Sequence, residues 1–189
     1  MNGLPLMRCF STPLEGVKLI ESVMNRDERG SFLRAFCVIE MAELRPNLQF
    51  SQINISMTSH RGTIRGLHYQ LPPFAESKLI RCARGSVFDV AVDLRRDSPT
   101  FLKWHGVELK EDLPVAYFIP EGVAHGFQAL SDDAQLLYMH TAPWEINSER
   151  RIKFDDPMIG IEWPIISSRV SDKDRLVTYL PSNFDGVLL

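Results

Sequence analysis

No stretch of this chain is long and apolar enough to span a bilayer as a helix. Cysteine is scarce: Cys9, Cys37 and Cys82 are odd in number and far apart, with no metal-binding pattern and no disulfide framework. That usage fits a reducing cytoplasm, where the protein is expected to work. An excess of basic charge is also missing. Lys and Arg number 21 against 24 Asp and Glu, a net charge of −3. Nothing there suggests a nucleic acid or an anionic membrane as partner, so an anionic ligand needs a local basic site. Met1 to Gly16 holds two prolines and no apolar segment, unlike a secretory signal. There is no glycine-rich phosphate loop, no internal repeat and no Gly-x-Ser-x-Gly element of a hydrolase. Helical periodicity between strands is absent, which argues against a doubly wound α/β sheet.

What is present is a series of short strands cut by turns. An apolar fraction of 44% over 189 residues is enough for one core. We therefore expect a single domain, 1–189, with a core over about residues 17–164 and a polar tail, 165–189. Val17 to Met24 is apolar and breaks at the polar Asn25–Gly30. Ser31 to Val38 reads as a strand, and Ile39 to Leu44 as one or two helical turns before Pro46. Phe50 to Thr58 alternates, with Ile53, Ile55 and Met57 on one face and Gln52, Asn54 and Ser56 on the other. Val87 to Leu94 alternates as well. Phe101–Leu109, Val115–Ile119, Gly126–Leu130 and Gln135–Thr141 continue the pattern of an all-β sandwich or barrel. Ser171 to Leu176 reads as a short helix, with Ser171 as its N-cap.

The chemistry concentrates in Arg65-Gly66-Leu67-His68-Tyr69-Gln70, in Lys78, and in Pro120-Glu121-Gly122-Val123-Ala124-His125. Two imidazoles, an ammonium and a guanidinium on neighbouring strands suit proton abstraction beside a carbonyl in an anionic substrate. On simple alternation Ile64, Gly66, His68 and Gln70 share a face. Arg65 then points away, unless a bulge at Gly66 re-aims it. Lys78 and Arg81, three apart, fall on opposite faces. Tyr138 shares a face with Leu136 and His140. A metal site would need three or four converging His, Asp, Glu or Cys donors. Position 70 is Gln, so there is no His-x-His.

At these residues the chain resembles the nucleotide-sugar epimerases typified by dTDP-4-dehydrorhamnose 3,5-epimerase. The resemblance runs from about Glu21 to Asp174. It is carried by Asp27-Glu28-Arg29-Gly30, Arg65–Gln70, Lys78–Cys82, Val87–Asp93, Ile119–Gly122, Ala124–Phe127 and Ile159–Pro164. It implies an all-β, cupin-type jelly-roll barrel with a few short helices, and a homodimer. It implies an epimerase of a nucleotide-linked 4-keto-6-deoxyhexose that needs no cofactor or metal. By that resemblance His68 is the general base, Asp174 orients it, Lys78 stabilises the enolate and Tyr138 reprotonates from the other side of the ring. Gln52, Asn54, Arg65, His125, Glu149 and Lys173 match substrate contacts. Arg29 matches a contact supplied by a dimer partner. Two base-contacting positions depart from the pattern: Arg34 stands where the family has Glu, and Trp144 where it has Tyr. CDP- and GDP-linked sugars therefore stay open beside dTDP. A metal-dependent cupin enzyme and a non-catalytic sugar-nucleotide binding module are the other two readings.

Overall fold

The computed structural model describes residues 6–42 and 44–189. Its elements in chain order are β1 (Met7–Ser11), β2 (Lys18–Ser22), β3 (Met24–Asp27), β4 (Gly30–Leu33), α1 (Val38–Met41), β5 (Gln52–Thr58), β6 (Thr63–Gln70), β7 (Lys78–Arg84), β8 (Ser86–Asp93), β9 (Trp104–Lys110), β10 (Val115–Ile119), β11 (Val123–Ala129), β12 (Ala134–His140), β13 (Glu149–Arg151), β14 (Arg169–Val170) and α2 (Asp172–Arg175). One sheet runs β1-β2-β10-β7-β12-β5. The other runs β13-β6-β11-β8-β9, with β14 added alongside β6 in parallel. Strands β3 and β4 form a separate hairpin. This is the expected all-β jelly roll, with two very short helices.

Successive side chains in a strand point to opposite faces. Ile80, Cys82, Tyr117, Ile119 and Leu136 of the first sheet therefore meet Val87, Ala91, Leu109, Val123, Phe127 and Ala129 of the second. Followed along their length, the same strands carry polar inward residues: Lys78 on β7, and Tyr138 and His140 on β12. The apolar half of the interior is filled, and the polar half is a cavity.

The outside of the second sheet is covered too. Val90, Val92 and Leu94 alternate outward and pack with Leu67, Ile152 and Val187, under Trp163, Leu180 and Phe184. Residues from 165 on, read from the sequence as a polar tail, thus lie along this sheet. Gln128 holds the segment by donating to the Ile165 carbonyl at 2.8 Å and accepting from its amide at 3.2 Å. Val187 in turn donates its amide to the Leu94 carbonyl. On the outside of the first sheet, Ile20, Met41, Leu79, Phe118 and Met139 pack together. Edge strand β5 lies beyond that cover, leaving Ile53, Ile55 and Met57 62%, 62% and 64% exposed.

Two expected boundaries change, and strands such as β1 and β3 lie where the sequence suggested none, β3 running into the expected polar break Asn25–Gly30. Strand β1 is an edge strand with only Met7 buried, so it shows no alternation to read. The strand expected over Ser31–Val38 ends at Leu33. There the chain turns to pack Phe36 edge-to-face against Phe50, with ring centroids 4.8 Å apart, and α1 starts at Val38. Glu43, in the expected helical turn, lies outside the described residues. Strand β9 begins at Trp104 rather than Phe101. The preceding loop is pinned by Asp93, which accepts from Ser98, Thr100 and Arg95.

Candidate active site

A cavity of about 550 Å³ lies between the sheets. His68 enters it from β6 in the second sheet. Tyr138 and Lys78 enter from β12 and β7 in the first. A ligand between them would be flanked by the imidazole and the phenol from opposite walls.

How β6 aims its side chains answers the question about Arg65. The ladder between β6 and β11 shifts register between His125 and Gly126. His125 pairs with His68 and Gly126 with Gly66, so Leu67 is the extra residue of a bulge. The bulge puts Arg65 and His68, three apart, into the same cavity. Only glycine suits position 66. Its φ is +120°, and an added Cβ would lie 2.6 Å from the Gly126 Cα and 2.8 Å from the His125 carbonyl oxygen. Lys78 and Arg81 do face opposite ways. Arg81 is buried on the outer face against the Ser22 hydroxyl, at 3.0 Å.

Asp174 reaches His68 from 106 residues away. The chain before it is stitched along β6: Ser168 donates its amide to the Gly62 carbonyl, and β14 pairs with Thr63 and Ile64. Ser171 then caps α2, accepting from the Asp174 amide at 3.2 Å. The Asp174 carboxylate lies 2.8 Å from His68 Nε2 and accepts from the Ser171 hydroxyl at 2.9 Å. These hydrogen bonds outweigh burial and hold its carboxyl at about 2. With Nε2–H donated to an anionic carboxylate, the neutral imidazole keeps its lone pair on Nδ1, the nitrogen able to take a proton.

On the other wall, Lys78 Nζ pairs with Glu76 at 3.0 Å and donates to the His68 carbonyl oxygen at 3.4 Å. Glu76 also binds His140 Nδ1 at 2.8 Å, and its carboxyl is held below the ordinary range by His140 and Lys78 against burial. Burial pushes the Tyr138 phenol well above the ordinary range, so it stays protonated. Beside it, at 5.6 Å between ring centroids, is His125, whose Nε2 meets the fully buried Asp89 at 2.8 Å. Burial pushes His125 down and Asp89 up, which favours the uncharged form of each.

Of the remaining expected residues, Asn54, Arg65, Trp144 and Glu149 line the cavity. Gln52 does not line it but accepts from the Trp144 amide at 3.1 Å, steadying that indole, which is 55% exposed at the rim. Lys173 is exposed on α2. Arg29 lies on the β3–β4 turn, paired with Asp27 at 2.6 Å, and Arg34 binds Glu40 at 2.9 Å in a groove outside the first sheet. Neither lines the cavity of its own chain. Arg151 and Glu76 were not expected. Arg151 had a readable signal, since it stands two residues after Glu149 on one strand and so shares its face. Among the described residues no group of three or more His, Cys, Asp or Glu is placed to hold a metal ion.

Comparison with known proteins matches this site to a family. The sequence profile of dTDP-4-dehydrorhamnose 3,5-epimerase matches residues 11–181. The enzyme of that name from Shigella flexneri is 45% identical over 170 residues, 89% of this chain and 93% of the relative. A dTDP-4-dehydrorhamnose 3-epimerase from Streptomyces niveus is 37% identical over 97% of this chain and 88% of its own. In three dimensions the chain is similar to dTDP-6-deoxy-D-glucose-3,5-epimerase from Legionella pneumophila, solved in complex with dTDP-4-keto-L-rhamnose. That match has a TM-score of 0.84 and 39% identity over 89% of each chain. The chain belongs to the dTDP-4-dehydrorhamnose 3,5-epimerase family of isomerases.

Proposed function

We propose that this protein inverts one or both carbons flanking the ketone of a dTDP-linked 4-keto-6-deoxyhexose. The observation that carries the reading is one cavity with an imidazole–carboxylate dyad on one wall and a protonated phenol beside an ammonium on the other. The relatives named above support the sugar nucleotide. In the reaction His68 Nδ1 takes the proton from the carbon next to the ketone. The C–H electron pair becomes the enolate π bond, and the carbonyl pair moves onto the ketone oxygen. Lys78 stabilises that oxyanion in a site built before the charge appears. Tyr138 then gives its proton to the same carbon from the other side. Solvent restores the phenol and removes the proton from the imidazolium. Arg65, His125, Asn54 and Glu149 hold the sugar and diphosphate, and the Trp144 indole stacks on the base. Gln52 sets that indole, and Lys173 contacts the ligand from the rim.

The protein acts as a cytoplasmic homodimer, with Arg29 and Arg34 reaching the partner's cavity from the β3–β4 side. The exposed Ile53, Ile55 and Met57 on β5, and Phe32 at 75% exposure, support such a face. Among the described residues no helix is long and apolar enough to cross a membrane.

The test is incubation in heavy water with dTDP-, CDP- and GDP-linked 4-keto-6-deoxyglucose, with the label located by NMR. Deuterium next to the ketone of the dTDP sugar, with inversion, is expected. Binding without exchange, for all three, contradicts the reading.

A further inference from the structure

Strand β13 places Arg151 directly opposite His68 in the antiparallel ladder. Its NH1 group lies 2.5 Å from Asp174 Oδ1 and 3.0 Å from His68 Nε2. Its NH2 group is held by both Glu149 carboxylate oxygens at 3.1 Å each. A guanidinium has donors only. NH1 therefore cannot accept from Nε2–H, and Nε2 cannot accept from NH1 while it donates to Asp174. The arrangement that satisfies all three groups has both N–H donors on one oxygen, Asp174 Oδ1. A permanent cation then shares the carboxylate with an imidazole that becomes a cation when it takes the substrate's proton.

We propose that Arg151 is a positioning residue for proton transfer: by sharing Asp174 Oδ1 with His68 it holds the carboxylate that orients the ring and keeps the imidazole from retaining the proton it takes. The inference rests on His68 acting as the base. Its physical basis is a balance of charges. Asp174 and Glu149 favour imidazolium, whereas Arg151 and Arg65 oppose it; on the far wall Lys78 is offset by Glu76, which also holds His140, and the Tyr138 phenol and His125 stay uncharged. Arg151 lies 3.0 Å from the ring nitrogen, and its own second carboxylate, Glu149, stops it from swinging away. Without it the full field of Asp174 would act on His68 alone. The base would then load at higher pH and release its proton more slowly.

Arg151→Met keeps the length of the side chain and removes the charge, and Arg151→Lys keeps the charge. The first measurement is the NMR titration of the His68 ring in the wild-type protein and both variants, which needs no substrate. The second is the pH profile of deuterium exchange. In Arg151→Met the titration midpoint and the acid limb of kcat/KM should both move up by about one pH unit. The exchange rate on the acid side should fall about tenfold, and Arg151→Lys should restore the wild-type profile. A midpoint that stays put in Arg151→Met overturns the inference. So does a uniform loss of rate at every pH, which marks a merely structural role. If no sugar nucleotide exchanges at all, the functional reading fails, while the titration still decides what Arg151 does to the ring.

Discussion

Replacing Asp174 with Asn changes one atom and removes the charge that the dyad depends on. In the folded protein the Asp174 carboxyl is held at about 2, against an ordinary 3.8. That gap of about 1.8, at roughly 1.36 kcal/mol per pH unit, corresponds to about 2 kcal/mol of stability. The carboxyl is depressed, so this contribution is complete above pH 3.8 and disappears as pH falls through about 2. Asp174→Asn should therefore be about 2 kcal/mol less stable than wild type at pH 7 and equal to it near pH 2. The effect on rate comes from the imidazolium formed during proton transfer. A hydrogen bond from imidazolium to a carboxylate exceeds one to an amide by about 1–2 kcal/mol, which is about a tenfold loss of kcat. Urea unfolding at pH 7, 4 and 2.5, together with exchange rates at pH 7, checks both parts. Equal unfolding free energies at pH 7, with exchange within twofold of wild type, would refute the assignment.

Other outcomes follow from the same geometry. Gly66→Ala forces a side chain onto the Gly126 backbone at positive φ; it should cost about 3 kcal/mol by denaturant unfolding and abolish exchange through the lost bulge. Lys78→Met removes the cation proposed to stabilise the enolate and leaves the buried Glu76 short of a partner. Exchange should fall by about 10²–10³ and stability by about 3 kcal/mol. Adding Glu76→Gln should restore the stability and not the exchange. Trp144→Ala removes the indole proposed to stack on the base and should raise KM by about tenfold with kcat within twofold, as steady-state kinetics would show.

Much of this was legible in the chain, where alternation is strict. Strands β8 and β12 announce their faces because each inward residue is followed by an outward one that packs elsewhere. The N-cap of α2 was readable from Ser171, whereas the pairing of Asp174 with His68 was implied by the family resemblance alone. Position 65 was not readable, because a bulge inserts a residue and breaks the two-residue period on which the reading rests. Strand β1 is hidden because a strand at the edge buries too little to show a pattern. The segment after Pro164 looked like a tail because it is held largely through its own backbone: Gln128 binds Ile165, β14 pairs with β6 and Val187 donates to Leu94, contacts that need no particular side chains in the segment. Arg34 was expected at the base site; within one chain Glu40 holds it on the outer side of the first sheet. Pairing across sheets also escapes a linear reading. Glu76 between Lys78 and His140 joins the loop before β7 to the end of β12, and only the register of those strands brings them together.

The central claim is that His68 and Tyr138 work on opposite sides of one ring. The most direct measurement compares deuterium uptake with inversion, on dTDP-4-keto-6-deoxyglucose in heavy water, for His68→Ala and Tyr138→Phe. The account predicts neither uptake nor inversion in the first, and in the second uptake that outlasts inversion. Inversion at the wild-type rate in Tyr138→Phe, or persistent exchange in His68→Ala, would contradict it.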